Sequence, residues 1–150
     1  MPWGILQKLV SVLNNSEMKK IEHIGIAVND LEEANKVYAA VMGKPHYKTE
    51  AVVSEGVNTS FFEIGESKIE LLAATSEDSA IAKSILKRGE GMHHIAFAVD
   101  DIEAEIKRLK NEGFQLLNEQ PKTGADNKLV VFMHPKEANG VLIELCQEIR

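Results

Sequence analysis

HIGIAVNDLEEA (residues 23–34) and HIAFAVDDIEAE (residues 94–105) are two versions of one pattern within a single chain. At an offset of 71, His23 falls on His94, Val28 on Val99, Asp30 on Asp101 and Glu32 on Glu103. Each copy opens as an alternating strand. Asn29 or Asp30, and likewise Asp100 or Asp101, then offers a side-chain oxygen to cap a helix whose first turn is acidic. The helices are expected to stop at Gly43 and Gly113, residues suited to a helix C-terminus.

Outward from these stretches, each half continues in short β-rich runs. YKTEAVV (47–53), NTSFFEIG (58–65) and SKIELLAA (67–74) follow the first helix; FQLLNEQ (114–120), KLVVFMHP (128–135) and GVLIELCQ (140–147) follow the second. Gly56, Gly65 and Glu66 punctuate the first set, Gly124 and PKEANG (135–140) the second. Between the halves, SEDSAIAKSILKRGEG (76–91) reads as a capped connecting helix with a glycine-rich link. The predicted order is βαβββ, helix, βαβββ: a duplicated α+β unit, not a doubly wound parallel sheet. The expected boundaries are an N-terminal extension over 1–18 and one domain over 19–150. Within the domain, module 1 spans about 19–75, the linker helix 76–91 and module 2 about 92–150.

The repeat also matches at its ends. KIELL places Glu70 47 residues after His23, and LIELC places Glu144 50 residues after His94. Strand alternation puts Gly25 and Ala27 on the face of His23, and Ala96 and Ala98 on the face of His94. The large residues Ile24, Ile26, Val28, Ile95, Phe97 and Val99 take the other face, which suits packing against helices. The same logic turns Ile69, Leu71, Ile143 and Leu145 outward and Glu70 and Glu144 inward. Two imidazoles and two carboxylates would thus converge on small-residue walls, where burial is costly without compensation. A divalent cation supplies that compensation, and nitrogen and oxygen donors without thiolates suit cobalt, manganese, nickel, iron or zinc better than calcium or magnesium.

The other histidines carry less. His93 is expected to face the helix-packed side or the strand entrance as a structural residue. His46 reads as a solvated loop residue and His134 as one that orients its loop. No GxSxG or phosphate-binding glycine loop is present, and Cys146 has no motif that would make it a nucleophile.

Composition narrows the function classes. With 150 residues, 44% of them hydrophobic, the chain can bury a real core. A formal charge of -6 argues against nucleic acid or an anionic membrane as partner. The single cysteine excludes an internal disulfide and fits a reducing, cytoplasmic setting. No stretch approaches the ~20 apolar residues of a membrane span. In MPWGILQKLVSVLNNSE (1–17), Ile5, Leu6, Leu9, Val10 and Leu13 fall at helical spacing, without a basic start or cleavage site. That segment is expected to form a short amphipathic helix packed on the domain or on a partner subunit. Met18-Lys19-Lys20 also looks like a natural start.

HIGIAVNDLEEA, KIELL, DSAIAKSILKRGEGMHHIAFAVDDI and the closing HPKEANGVLIEL together resemble the vicinal oxygen chelate (glyoxalase/dioxygenase) superfamily. Within it they most resemble the methylmalonyl-CoA epimerases, over about Ile21 to Gln147. The resemblance implies a cupped, incomplete eight-stranded mixed β-barrel built around one metal site. It implies His23, Glu70, His94 and Glu144 as metal ligands, with cobalt the expected ion and manganese, nickel or zinc as alternatives. It further implies an acyl-CoA substrate and a cytoplasmic homodimer. The activity implied is interconversion of (2R)- and (2S)-methylmalonyl-CoA through a metal-stabilised enolate, with Glu144 and Glu70 as catalytic bases. Glu55 is a less favoured second base. It lies near the place, at about Thr59, where some family members carry a non-ligand glutamate. Lys122, Lys128 and Lys136 flank the last hairpins and could meet CoA phosphates. Glyoxalase I chemistry and a metal-free small-molecule binding protein of the same fold are the alternatives; extradiol dioxygenases and fosfomycin-resistance enzymes would leave Glu70 as an excess ligand.

Overall fold

The computed structural model describes residues 18–149, so the expectation of an amphipathic helix over 1–17 lies outside the described residues. The first unit runs β1 (Lys20–Ala27), α1 (Leu31–Met42), β2 (Lys48–Val52), β3 (Val57–Ile64) and β4 (Ser67–Ala74). Helix α2 (Ala80–Arg88) connects it to β5 (Gly91–Ala98), α3 (Ile102–Asn111), β6 (Lys122–Gly124), β7 (Lys128–Met133) and β8 (Ile143–Glu148). The order is the duplicated βαβββ that the repeat predicts.

All eight strands join one mixed sheet in the order β2-β3-β4-β1-β5-β8-β7-β6. In each half the first strand pairs in parallel with the last, β1 with β4 and β5 with β8. The halves meet through the antiparallel β1/β5 pair at the middle of the sheet. The helix N-caps repeat as closely as the strands do. Asp30 Oδ1 accepts from Glu33 N and Asp101 Oδ1 accepts from Ala104 N, both at 3.1 Å, a cap of about 1 kcal/mol each. Gly43 closes α1 in the left-handed conformation, φ 76°.

Packing divides by face as the alternation requires. Val28, Phe62, Leu71 and Ala73 form a cluster under Leu31, Tyr38 and Met42 of α1. Val131 and Leu145, with Phe97 and Ile143 at the margin, pack under Ile102, Ile106 and Leu109 of α3. Ile69, Leu71, Ile143 and Leu145 therefore lie on the helix side, and Glu70 and Glu144 on the other.

Two β-bulges interrupt the central pair. Ile21 opposes Phe97 and His23 opposes Ala96, which leaves Glu22 as an extra residue in β1. Gly25 opposes His94 and Ile26 opposes Met92, which leaves His93 as an extra residue in β5. A bulge re-aims the side chain at the inserted position. Glu22 and His23, consecutive in sequence, are consequently both buried.

The sheet's end strands, β2 and β6, are bridged by side chains. Asp126, just before β7 and at φ 59°, donates its backbone N–H to the Glu50 carboxylate of β2 at 3.1 Å. Its own carboxylate pairs with Lys48 and, at 2.6 Å, with Lys68 of β4. One expected strand is not where the sequence places it. FQLLNEQ contributes only an isolated bridge, Leu116 to Met133, and β6 forms later, at Lys122–Gly124. The reason is Asn118. Its side chain accepts from Phe132 N at 3.0 Å and donates to Val130 O at 3.3 Å, occupying ladder groups of β7 that a strand backbone would otherwise use.

Candidate metal centre

His23 from β1, His94 from β5, Glu70 from β4 and Glu144 from β8 all reach the concave side, and each is more than nine-tenths buried. Their positions follow from the parallel pairings. Gly25 lies opposite both Glu70 and His94, and Ala96 lies opposite both His23 and Glu144. The small residues are required there. A Cβ on Gly25 would stand 2.2 Å from His94 Cε1, so the imidazole occupies the space that glycine leaves.

The donor atoms form two overlapping groups that share His23. His23 Nε2 is 3.0 Å from His94 Nε2 and 3.4 Å from Glu144 Oε2, with His94 Nε2 3.6 Å from Glu144 Oε1. Glu70 Oε2 is 2.7 Å from the other ring nitrogen, His23 Nδ1, and Glu22 Oε1 is 3.7 Å from it. Despite the 2.7 Å contact, Nδ1 lacks a properly directed hydrogen bond and stays a buried, unpartnered polar atom. Each group holds three donors within 4.8 Å of one another, the packing a single cation can satisfy. Of the four residues expected from sequence, His23, His94 and Glu144 thus meet at His23 Nε2, whereas Glu70 lies with Glu22 on the Nδ1 side of His23.

Electrostatics match this crowding. Burial disfavours the His23 cation, but the adjacent carboxylates of Glu22 and Glu70, then the charge of Glu144, outweigh it and raise its pKa to about 10. His94 is pushed well below its ordinary value by burial and by the neighbouring His23 and His93. Burial raises Glu144 to about 7, opposed by His23 and reinforced by Glu70. Without metal, the site keeps a proton on His23, a neutral His94 and a half-protonated Glu144 at neutral pH. A divalent metal fits the His23, His94 and Glu144 donors: it offers the carboxylate a charge and both imidazoles a Lewis acid.

The cluster forms the polar wall of a cavity of about 280 Å³ whose other walls include Val57, Leu72, Ile81, Val130 and Phe132. Glu55 also reaches this cavity, held by Lys122 at 2.9 Å. Thr59 lines it too, with its hydroxyl buried and unpartnered. Lys136 is exposed, but Lys128 is buried and paired with Glu148 at 3.3 Å. That pairing removes Lys128 from the set open to a phosphate.

Three histidine expectations need comment. His134 orients its loop as expected, its Nδ1 accepting from Lys136 N at 3.0 Å. His46 is half-buried against Phe62, ring centroids 5.8 Å apart, and not fully solvated. His93 lines the cavity and does not face the helices, because the bulge at its position breaks strict alternation. Glu22 escapes a reading by alternation for the same reason. The repeat does hold a signal, since the offset of 71 that pairs His23 with His94 also pairs Glu22 with His93.

A family model described as the Glyoxalase/Bleomycin resistance protein/Dioxygenase superfamily matches residues 22–132. The chain belongs to this superfamily. Among the superfamily's characterised proteins, the mitochondrial methylmalonyl-CoA epimerase of Homo sapiens is 40% identical, over 85% of this chain and 73% of its own. The ethylmalonyl-CoA/methylmalonyl-CoA epimerase of Cereibacter sphaeroides is also 40% identical, over 85% of this chain and 97% of its own. The solved structure of a Streptomyces coelicolor methylmalonyl-CoA epimerase variant in complex with 2-nitronate-propionyl-CoA superimposes with a TM-score of 0.84. It is 36% identical and covers 88% of this chain and 96% of that one. The eight-stranded mixed sheet with its flanking helices is the superfamily fold, as the resemblance implied.

Proposed function

We propose that the chain is a methylmalonyl-CoA epimerase, interconverting the (2R) and (2S) forms by removing and returning the proton on C2. The observation that carries this reading is Glu144, a buried carboxylate beside two imidazoles in a cavity. The epimerase relatives set out above support it. The C2 proton lies between a thioester carbonyl and a carboxylate, and its removal places negative charge on an enolate. A cavity of about 280 Å³ suits the acyl end of such a substrate, which would leave the CoA nucleotide outside.

His23, His94, Glu144 and Glu70 would hold the metal, which when bound supplies Lewis-acid stabilisation of the enolate charge. Cobalt is the ion of this reading, with manganese, nickel and zinc chemically suited to the same donors. Epimerisation needs proton exchange on both faces of C2. Glu144 from module 2 serves as one base and Glu70 from module 1 as the other. Glu55 shares the cavity but is engaged by Lys122. The apolar walls exclude water from the carbanion and so protect it from adventitious protonation. The homodimer and the cytoplasmic setting in this reading rest on the resemblance.

The test is incubation of metal-loaded protein with one epimer in D2O, following stereochemistry and C2 deuteration together. Conversion with deuterium entry is expected. No exchange, alongside turnover of methylglyoxal–glutathione, would replace the reading with glyoxalase I chemistry.

A further inference from the structure

We infer that His93 is a positioning residue that fixes the tautomer of His94, so that Nε2 of His94 carries the lone pair offered to the metal. The inference rests on the metal reading above.

His94 has a close partner at each ring nitrogen. Its Nε2 is 3.0 Å from His23 Nε2, and its Nδ1 is 3.0 Å from His93 Nδ1. The His93 and His94 rings stand edge to face, interplanar angle 88°, so the two Nδ1 atoms meet without the rings stacking. A neutral imidazole has one N–H, which leaves two arrangements. In the first, His94 donates from Nδ1 to His93 and accepts at Nε2. In the second, it accepts at Nδ1 from His93 and donates from Nε2. Only the first directs a lone pair at the point where His23 Nε2 and Glu144 converge. It also fixes His93, whose Nδ1 must be the acceptor and whose Nε2 must carry the hydrogen.

The architecture supports a dedicated role. The bulge in β5 turns His93 away from the helix side and into the cavity, next to the ring it touches. The matching bulge in β1 turns Glu22, the residue before His23, toward that ring without bringing it into the cavity. Each module thus sets the residue preceding its histidine beside that histidine's Nδ1. An outer partner on a ligating imidazole sets tautomer and ring orientation.

Two measurements test this. In metal-free protein carrying 15N-histidine, His94 should show a protonated Nδ1 and an unprotonated Nε2; the opposite tautomer overturns the proposal. His93→Phe removes the acceptor, whereas His93→Asn can return an oxygen near the lost Nδ1. Metal affinity, by competition with a chelator, should fall about tenfold or more in His93→Phe and recover to within about threefold in His93→Asn. Unchanged affinity and an unchanged His94 tautomer in His93→Phe would overturn it as well. Failure of the wild-type protein to take up metal would sink the underlying reading instead, and the His94 tautomer in His93→Phe, compared with the wild type, would still decide the part played by His93.

Discussion

Glu22 and His93 occupy equivalent places 71 positions apart, and each lies beside Nδ1 of the histidine that follows it, at 3.7 and 3.0 Å. The equivalence ends at chemistry. Glu22 is an anion held by Lys68 at 2.9 Å, and Lys68 in turn holds Asp126 at 2.6 Å. This chain of charges ties His23 to the side-chain bridge between the sheet's two end strands. The gap in the barrel and the metal centre therefore share one network.

Lys68→Met should expose that coupling. It takes from the buried Glu22 carboxylate its cation at 2.9 Å and leaves His23 and Lys20 at 3.7 and 3.9 Å, so the loss should stay below the about 3 kcal/mol of a buried pair broken from one side. Burial alone would raise the Glu22 pKa, but His23 and Lys68 overcome it and lower the value from 4.5 to about 2. A depressed carboxylate contributes stability that is fully present above its unfolded value. That stability is lost as pH falls through about 4.5 toward 2. Urea unfolding of metal-free protein should show this loss in the wild type and a shallower one in Lys68→Met, where His23 still lowers the Glu22 pKa. Parallel curves would mean that Lys68 does not hold Glu22.

Metal binding should depend on pH with a definite sign. His23, raised to about 10, carries a proton at neutral pH that a metal must displace. Apparent affinity should therefore rise about tenfold per pH unit between roughly pH 7 and 8. The slope should steepen below pH 7, where the proton on Glu144, whose pKa is about 7, must also leave. Calorimetry in buffers of different ionisation enthalpy counts the released protons. An affinity flat across this range would contradict a ligand set containing His23.

The base assignment separates by substitution. Glu144→Gln should lower turnover by roughly 10²–10⁴-fold, the usual worth of a positioned base. Glu70→Gln should slow exchange from one epimer more than from the other if Glu70 serves one face. Near-normal exchange from both epimers in a Glu70→Gln protein that still binds metal would remove Glu70 as a base. The parallel Glu55→Gln variant then shows whether that role passes to Glu55.

What the sequence disclosed, and what it withheld, follows from the range of each interaction. The element order and the inward turn of His23, His94, Glu70 and Glu144 were legible because a repeat states every alternation twice. Asp30 and Asp101 were legible as cap candidates because a cap acts within three residues. The bulges at Glu22 and His93 were hidden, since a period-2 reading has no place for an extra residue. The Asp126 bridge to Glu50, Lys48 and Lys68 was hidden too. It pairs residues some 58 to 78 positions apart, and nothing local marks it. FQLLNEQ misled because its composition suits a strand, while the Asn118 side chain takes the hydrogen bonds a strand would need.

Gly25→Ala provides a steric test of the centre that alters no charge and no donor atom. The added Cβ would lie 2.2, 2.5 and 2.7 Å from three atoms of the His94 ring, closer than nonbonded atoms approach. Either the ring turns aside or β1 and β5 shift, and overpacking of this kind costs about 1–3 kcal/mol. Gly25 has no left-handed backbone, so alanine is otherwise tolerated there. Gly65→Ala is the contrasting variant. Its φ of 58° strains any L side chain by about 1–2 kcal/mol, yet nothing lies within 4 Å of the added carbon. The two variants should thus lose similar stability by urea unfolding. Only Gly25→Ala should lose metal affinity, by about tenfold or more, and epimerase activity with it. Equal metal affinity in both would mean that His94 does not ligate from the position Gly25 opens for it.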